Sequence, residues 1–207
     1  MSDDEMLSVL DRLQRRFSKA MRAGQQPASV GLSQTPADIN RLFARLQLAV
    51  RYESSTFAGY SEATASAYSS MVALLLAWSA FERTVAATGL TNGQKLNYAA
   101  IDKLFTAYEV LDQRADWNAI RPILPVLAEH CTAPKLREAL ENAANGEALP
   151  VRSLVSALRN TFAHGMLTAH FGGTKPLRLA KACRALSAVL LSVQVRRLHE
   201  IMVEAEA

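Results

Sequence analysis

A chain of 207 residues, half of them hydrophobic and a fifth charged, can bury one substantial core, which excludes a disordered or fibrous protein and predicts one main domain. A net charge of +4 and a pI of about 9.3 fit a polyanionic partner without requiring one. The longest apolar stretch, Met71 to Ala80, contains Ser79 and is followed by Glu82 and Arg83. It falls short of the roughly 20 residues that span a bilayer, so neither a transmembrane helix nor a membrane partner is expected. The start, Met-Ser-Asp-Asp-Glu, lacks the basic opening and apolar block of a signal peptide, and a cytoplasmic location is expected. Cys131 and Cys183 have no CxxC spacing and read as packing residues rather than a disulfide framework or zinc site.

From Asp3 to Ala23, Met6, Val9, Leu10, Leu13, Phe17 and Met21 recur at three- and four-residue steps, with Arg12, Arg15, Arg16, Lys19 and Arg22 on the other faces. This predicts a basic amphipathic helix, whose charges read first as a solvated face and second as an RNA or membrane contact. Gly24 to Gln34, rich in Gly, Gln, Pro and Ser, reads as a linker. Thr35-Pro36-Ala37-Asp38 supplies an N-cap, a first-turn proline and an early acid, so a second helix is expected from there to about Tyr52. Glu53 to Tyr60 reads as a loop. Ser61 to about Thr88 should be the central helix, because Met71 to Ala80 is apolar on every face and needs protein around it.

Thr91-Asn92-Gly93 marks a turn, and Ile101, Leu104, Phe105, Tyr108 and Leu111 then form an amphipathic stripe. Pro122 and Pro125 divide the next stretch into short pieces. Thr132 with Pro134 opens a helix that Gly146 closes, and Pro150 opens one carrying Val151, Leu154, Val155, Leu158 and Phe162. After a loop from Met166 to Lys175 that holds Gly172-Gly173, Pro176 begins a long last helix. No convincing strand alternation or internal repeat interrupts this order, so the fold class is all-α, a helical bundle over 35–207 preceded by the helix and linker of 1–34.

The string Ser156-Ala157-Leu158-Arg159-Asn160-Thr161-Phe162-Ala163-His164-Gly165 resembles the signature of the HEPN superfamily, in which an arginine and a following polar residue precede a histidine by a few positions. Ala77-Trp78-Ser79-Ala80-Phe81-Glu82 is similar to the first core helix of many HEPN proteins, and Lys175-Pro176 before a long apolar helix also fits. The resemblance covers about Tyr60 to Met202 and implies a HEPN-like bundle with an additional N-terminal amphipathic helix.

On an uninterrupted helix, residues five apart point about 140° away from each other, so Arg159 and His164 can share a cleft only if the helix stops near His164. Gly165 suits the left-handed position that would stop it. Asn160 and His164, four apart, share a face, so the amide could orient the imidazole. RNA carries its own nucleophile in the 2′-hydroxyl, and cleavage by transesterification needs a proton handler and a cation for the phosphorane rather than a metal. His164 can be the former and Arg159 the latter.

The resemblance implies a metal-independent endoribonuclease leaving a 2′,3′-cyclic phosphate, without cofactor, in a toxin or defence setting with an antitoxin protein as a further partner. It also implies a homodimer that brings two Arg-His pairs to one composite site. Glu82, four residues after Trp78, is the expected supporting partner of Arg159.

Plainer roles stand beside these. His164 would suit a helix C-terminus, Arg159 an ion pair, Asn160 a polar helix face, and Trp78 and Phe81 the core. His130, His170 and His199 are isolated and without metal-ligand spacing. The rival functions are a non-catalytic HEPN-like module that binds RNA, a nucleotide or a protein, and an interaction module acting through the basic first helix.

Overall fold

The computed structural model describes residues 1–92, 95–107, 115–163 and 168–205. Among them the chain is all-α apart from one two-residue antiparallel ladder, Thr91–Asn92 (β1) with Lys95–Leu96 (β2), at the expected turn. It forms two compact units, and two long helices, α3 (Glu62–Ala87) and α9 (Pro176–Glu204), run through both.

The first unit comprises residues 1–52, 76–108 and 189–207. Its α1 (Asp3–Arg22) begins at a capping box, in which Ser2 N–H donates to Glu5 Oε2 at 2.7 Å and Glu5 N–H donates to Ser2 Oγ at 3.3 Å. The stripe Met6, Leu10, Leu13 and Phe17 is buried, and Phe17 meets Phe43 of α2 (Pro36–Arg51) at 6.2 Å between ring centroids. The Gln47 amide closes the same helix pair, donating to Asp11 Oδ1 and to Gln14 Oε1 at 2.9 Å each. Thr35 caps α2 as its sequence position implied, accepting from Asp38 N–H at 3.2 Å.

Gly24 to Gln34 differs from the expected linker. It carries a short 3-10 turn, Pro27–Val30, and buries Pro27, Val30 and Leu32. Ser33 donates from both N–H and Oγ to the Ala87 carbonyl at the end of α3. Three apolar anchors and one capping serine thus outweigh a composition that looks flexible. Gly31 is obligatory there: at φ 79° a side chain would be strained, and a Cβ would lie 2.9 Å from the Ile201 carbonyl oxygen.

The parts of α3 and α9 in this unit meet around one buried amide. Gln194, fully enclosed, donates to the carbonyls of Ala77 at 3.2 Å and Leu190 at 2.9 Å, and accepts from Thr84 Oγ1 at 3.1 Å, so its burial leaves no polar atom stranded. Trp78, Phe81 and Phe105 continue the core; Phe105 lies on α4 (Tyr98–Ala107), whose expected stripe members Tyr108 and Leu111 fall outside the described residues. By length and composition α3 could cross a membrane; 56% of its most apolar window is buried inside the protein, and within Met71 to Ala80 the side chains of Val72, Ala73, Leu75 and Leu76 are only partly buried, short of the full enclosure expected.

The second unit comprises residues 53–75 and 109–188. As Pro122 and Pro125 implied, the chain there is broken into α5 (Ala115–Ile120), a 3-10 turn at Arg121–Ile123 and α6 (Leu124–Glu129). α6 packs on α7 (Pro134–Ala144), and both touch α8 (Val151–Ala163). The start of α9 is tied to α3 by Arg184, and Ala67, Ala169 and Ala180 form a small apolar cluster beside Tyr68.

Candidate functional site

The α8 helix buries Val151, Leu154, Val155, Leu158 and Thr161, the spacing of one helical face. That burial fixes the direction of the two residues between Leu158 and Thr161. Arg159 is partly buried and Asn160 exposed, and the guanidinium donates from Nη1 to Asn160 Oδ1 at 3.0 Å. A planar cation thus meets a neutral oxygen on the neighbouring residue, which helps to fix the guanidinium plane.

Asn160 and Thr161 also line a small cavity of about 40 Å³ together with His130, Cys131 and Thr132. Thr161 turns its hydroxyl back to the Ala157 carbonyl at 2.8 Å, so it shapes the wall without offering a donor to the space. Cys131 is buried, and its carbonyl is gripped by two nitrogens of Arg137 at 3.0 and 2.7 Å. His130 stands at the end of α6 with its ring 4.9 Å from Phe171. In the sequence His130 stands isolated, because nothing within a few residues of it hints that α6 and α8 meet.

His164, the proposed proton handler, lies outside the described residues, and so does the expected contact between it and Asn160. Glu82 belongs to the first unit and Arg159 to the second; the Glu82 carboxylate accepts from Trp78 Nε1 at 2.9 Å, one turn back on α3. Trp78 is core, as its plainer role held, with Phe81 beside it at 5.3 Å. His170 approaches Thr64 Oγ1 at 3.4 Å, near the start of α3.

Neither cysteine offers a nucleophile on these grounds. Both are free and buried, and burial pushes the Cys183 thiol up to about 12, so it stays protonated at neutral pH. Among the described residues no three His, Cys, Asp or Glu side chains are grouped as metal ligands. No family model, no curated protein and no solved structure matches the chain.

Proposed function

We propose that this protein is a metal-independent endoribonuclease of the HEPN type, with Arg159, Asn160 and His164 as its working residues. One observation carries the reading: Asn160 holds the Arg159 guanidinium at 3.0 Å on the last turn of α8, on a backbone pinned by a buried apolar face, five residues ahead of His164. A cation placed in this way can take two phosphate oxygens and stabilise the extra charge of a phosphorane.

In the reaction, His164 acts on protons. The RNA 2′-oxygen loses its proton to a base and attacks the neighbouring phosphorus, the bond from phosphorus to the 5′-oxygen breaks, and that oxygen leaves with a proton. The products are a 2′,3′-cyclic phosphate and a 5′-hydroxyl. One imidazole per chain cannot be base and acid at once, which is why a homodimer sharing a composite site belongs to the proposal, within a HEPN-like bundle working in the cytoplasm and held in check by an antitoxin protein.

The test is cleavage of RNA by the purified protein in excess chelator, with analysis of the product ends. Arg159→Ala and His164→Ala should each abolish cleavage while the helical circular-dichroism signal stays at the wild-type level. Wild-type rates in either RNase-free mutant would remove the mechanism. The rival is a non-catalytic HEPN-like module that binds RNA, a nucleotide or a protein; the cavity beside Asn160, about 40 Å³, admits roughly one water and no nucleotide, so it favours neither reading. Binding of RNA without cleavage by the wild-type dimer would favour that rival.

A further inference from the structure

Between Glu147 and Glu200 the chain has no carboxylate side chain at all, yet it carries eight Lys and Arg residues. The remainder, with fifteen Lys and Arg against nineteen Asp and Glu, is net acidic at −4. The modest overall charge of +4 therefore hides a strongly basic segment of 52 residues, 148–199, set in an acidic chain.

The structure organises half of these cations at the start of α9. Lys175, Arg178 and Lys181 are exposed, and among the described residues none of their side chains enters an ion pair. They follow one another at three-residue steps, so each is the helical neighbour of the next, and Arg184 continues the row. From Lys175 to Arg184 the row rises about 14 Å along the axis.

Arg184 is oriented but not neutralised. Its Nε donates to Ser70 Oγ at 3.0 Å and its Nη2 to Ser66 Oγ at 2.6 Å, both on α3. The Ser70 hydroxyl spends its own proton on the Ser66 carbonyl at 2.7 Å, so the pair of serines acts as a neutral cradle. Two hydroxyls fix the guanidinium plane and leave its positive charge outward.

Helix stability does not explain the row. The amides of Arg178 and Leu179 bond back to the Lys175 carbonyl, which places Lys175 at the cap and Arg178 in the first turn. That is the positive end of the macrodipole, where carboxylates are favoured and cations are not, and α9 has no acid in its first turn. Exposed cations gathered at the positive end of a helix form a place for anions.

We infer that the basic row Lys175, Arg178, Lys181 and Arg184, which winds around the first turns of α9, is a track for the phosphate backbone of RNA. The choice of RNA among polyanions rests on the ribonuclease reading; the anion-binding surface itself does not. The track lies in the same unit as Arg159 and supplies binding energy away from the reacting phosphate, which an enzyme with so sparse a site requires.

The experiment measures equilibrium binding of the full chain to a 2′-O-methyl RNA oligonucleotide in chelator. That probe has no 2′-hydroxyl, so binding is read whether or not the protein cleaves. The variant K175Q/R178Q/K181Q is compared with R12Q/R15Q/K19Q on α1, which removes the same charge elsewhere. The α9 variant should bind at least tenfold more weakly, with the slope of log K against log salt shallower by about 2, at roughly 0.7 per lost phosphate contact. Its Tm should be no lower than the wild type's, and K181Q alone should show a smaller loss in the same direction. Wild-type affinity and slope in the α9 variants would overturn the track. An equal loss in the α1 variant would overturn it in favour of net charge alone. Binding of the wild type to phosphatidylserine vesicles in preference to RNA would overturn it in favour of a lipid surface. A wild type that binds but does not cleave, with binding weakened in the α9 variants, would leave the track standing and remove only the catalytic reading; intact cleavage with unchanged binding in the α9 variants would do the reverse.

Discussion

Two helices carry exposed rows of cations, and they place them at opposite ends. In α1 the acids Asp3, Asp4 and Glu5 fill the first turn and Lys19 and Arg22 the last, the arrangement the macrodipole favours. In α9 the first turn holds Arg178 behind a Lys175 cap and no acid. The basic residues near the end of α1 thus have a stabilising role that calls for no ligand, while those opening α9 work against their own helix. A conspicuous basic helix is therefore weaker evidence of polyanion binding than a less conspicuous one whose charges are misplaced for stability.

The comparison breaks most visibly if α1 is not an integral part of the fold. Phe17→Ala removes a fully packed ring from the α1–α2 contact and should cost about 3–5 kcal/mol in denaturant unfolding, in the same transition as the rest of the first unit. A separate, low-denaturant transition would mean that α1 folds apart, and its charges would then need another account.

Cys183, buried on the inner face of the α9 start, gives a second and more selective probe. Its ordinary value is 9.0 and burial raises it to about 12, so the folded state holds the thiol proton where the unfolded chain releases it. Its contribution is fully present below pH 9 and is lost as pH rises from there toward 12. Cys183→Ala should flatten that alkaline decline, measured by urea unfolding from pH 8 to 10.5; an unchanged slope would mean that other groups set it. A smaller effect, about 1 kcal/mol, is expected for Ser2→Ala, which opens the α1 capping box.

Much of this was legible in the residues. Proline and cap positions, Thr35-Pro36, Pro150 and Pro176, located helix starts closely, because a fixed φ and a side-chain acceptor act within one turn. Gly24 to Gln34 reads as a linker by composition yet packs, because its partners, the end of α3 and Ile201, lie far away in sequence and local composition carries no trace of them. His130 beside Asn160 was hidden for the same reason. Arg159 beside Asn160 needed only adjacency on one helix. The carboxylate-free run that contains the α9 row was open to reading from the outset, but the small net charge of the whole chain conceals it.

The smallest effect separates the two helices most sharply, because it is a difference of sign. Arg22 sits in the last turn of α1 and Arg178 in the first turn of α9. Glutamine has nearly the helix propensity of arginine, so Arg22→Gln and Arg178→Gln change little besides charge. A cation at a helix end contributes about 0.3–1 kcal/mol, favourable at the C-terminus and unfavourable at the N-terminus. Arg22→Gln should therefore lower the unfolding free energy by a few tenths of a kcal/mol, and Arg178→Gln should raise it by about as much. Both changes should shrink in 1 M salt, where the Debye length falls to about 3 Å. If the two substitutions shift stability in the same direction, or if the gap between them ignores salt, the charges of α9 are not opposed to its dipole. A stabilising Arg178→Gln that also weakens RNA binding would mean instead that the chain keeps a cation at a cost to its own fold, and the anion it serves would be the reason.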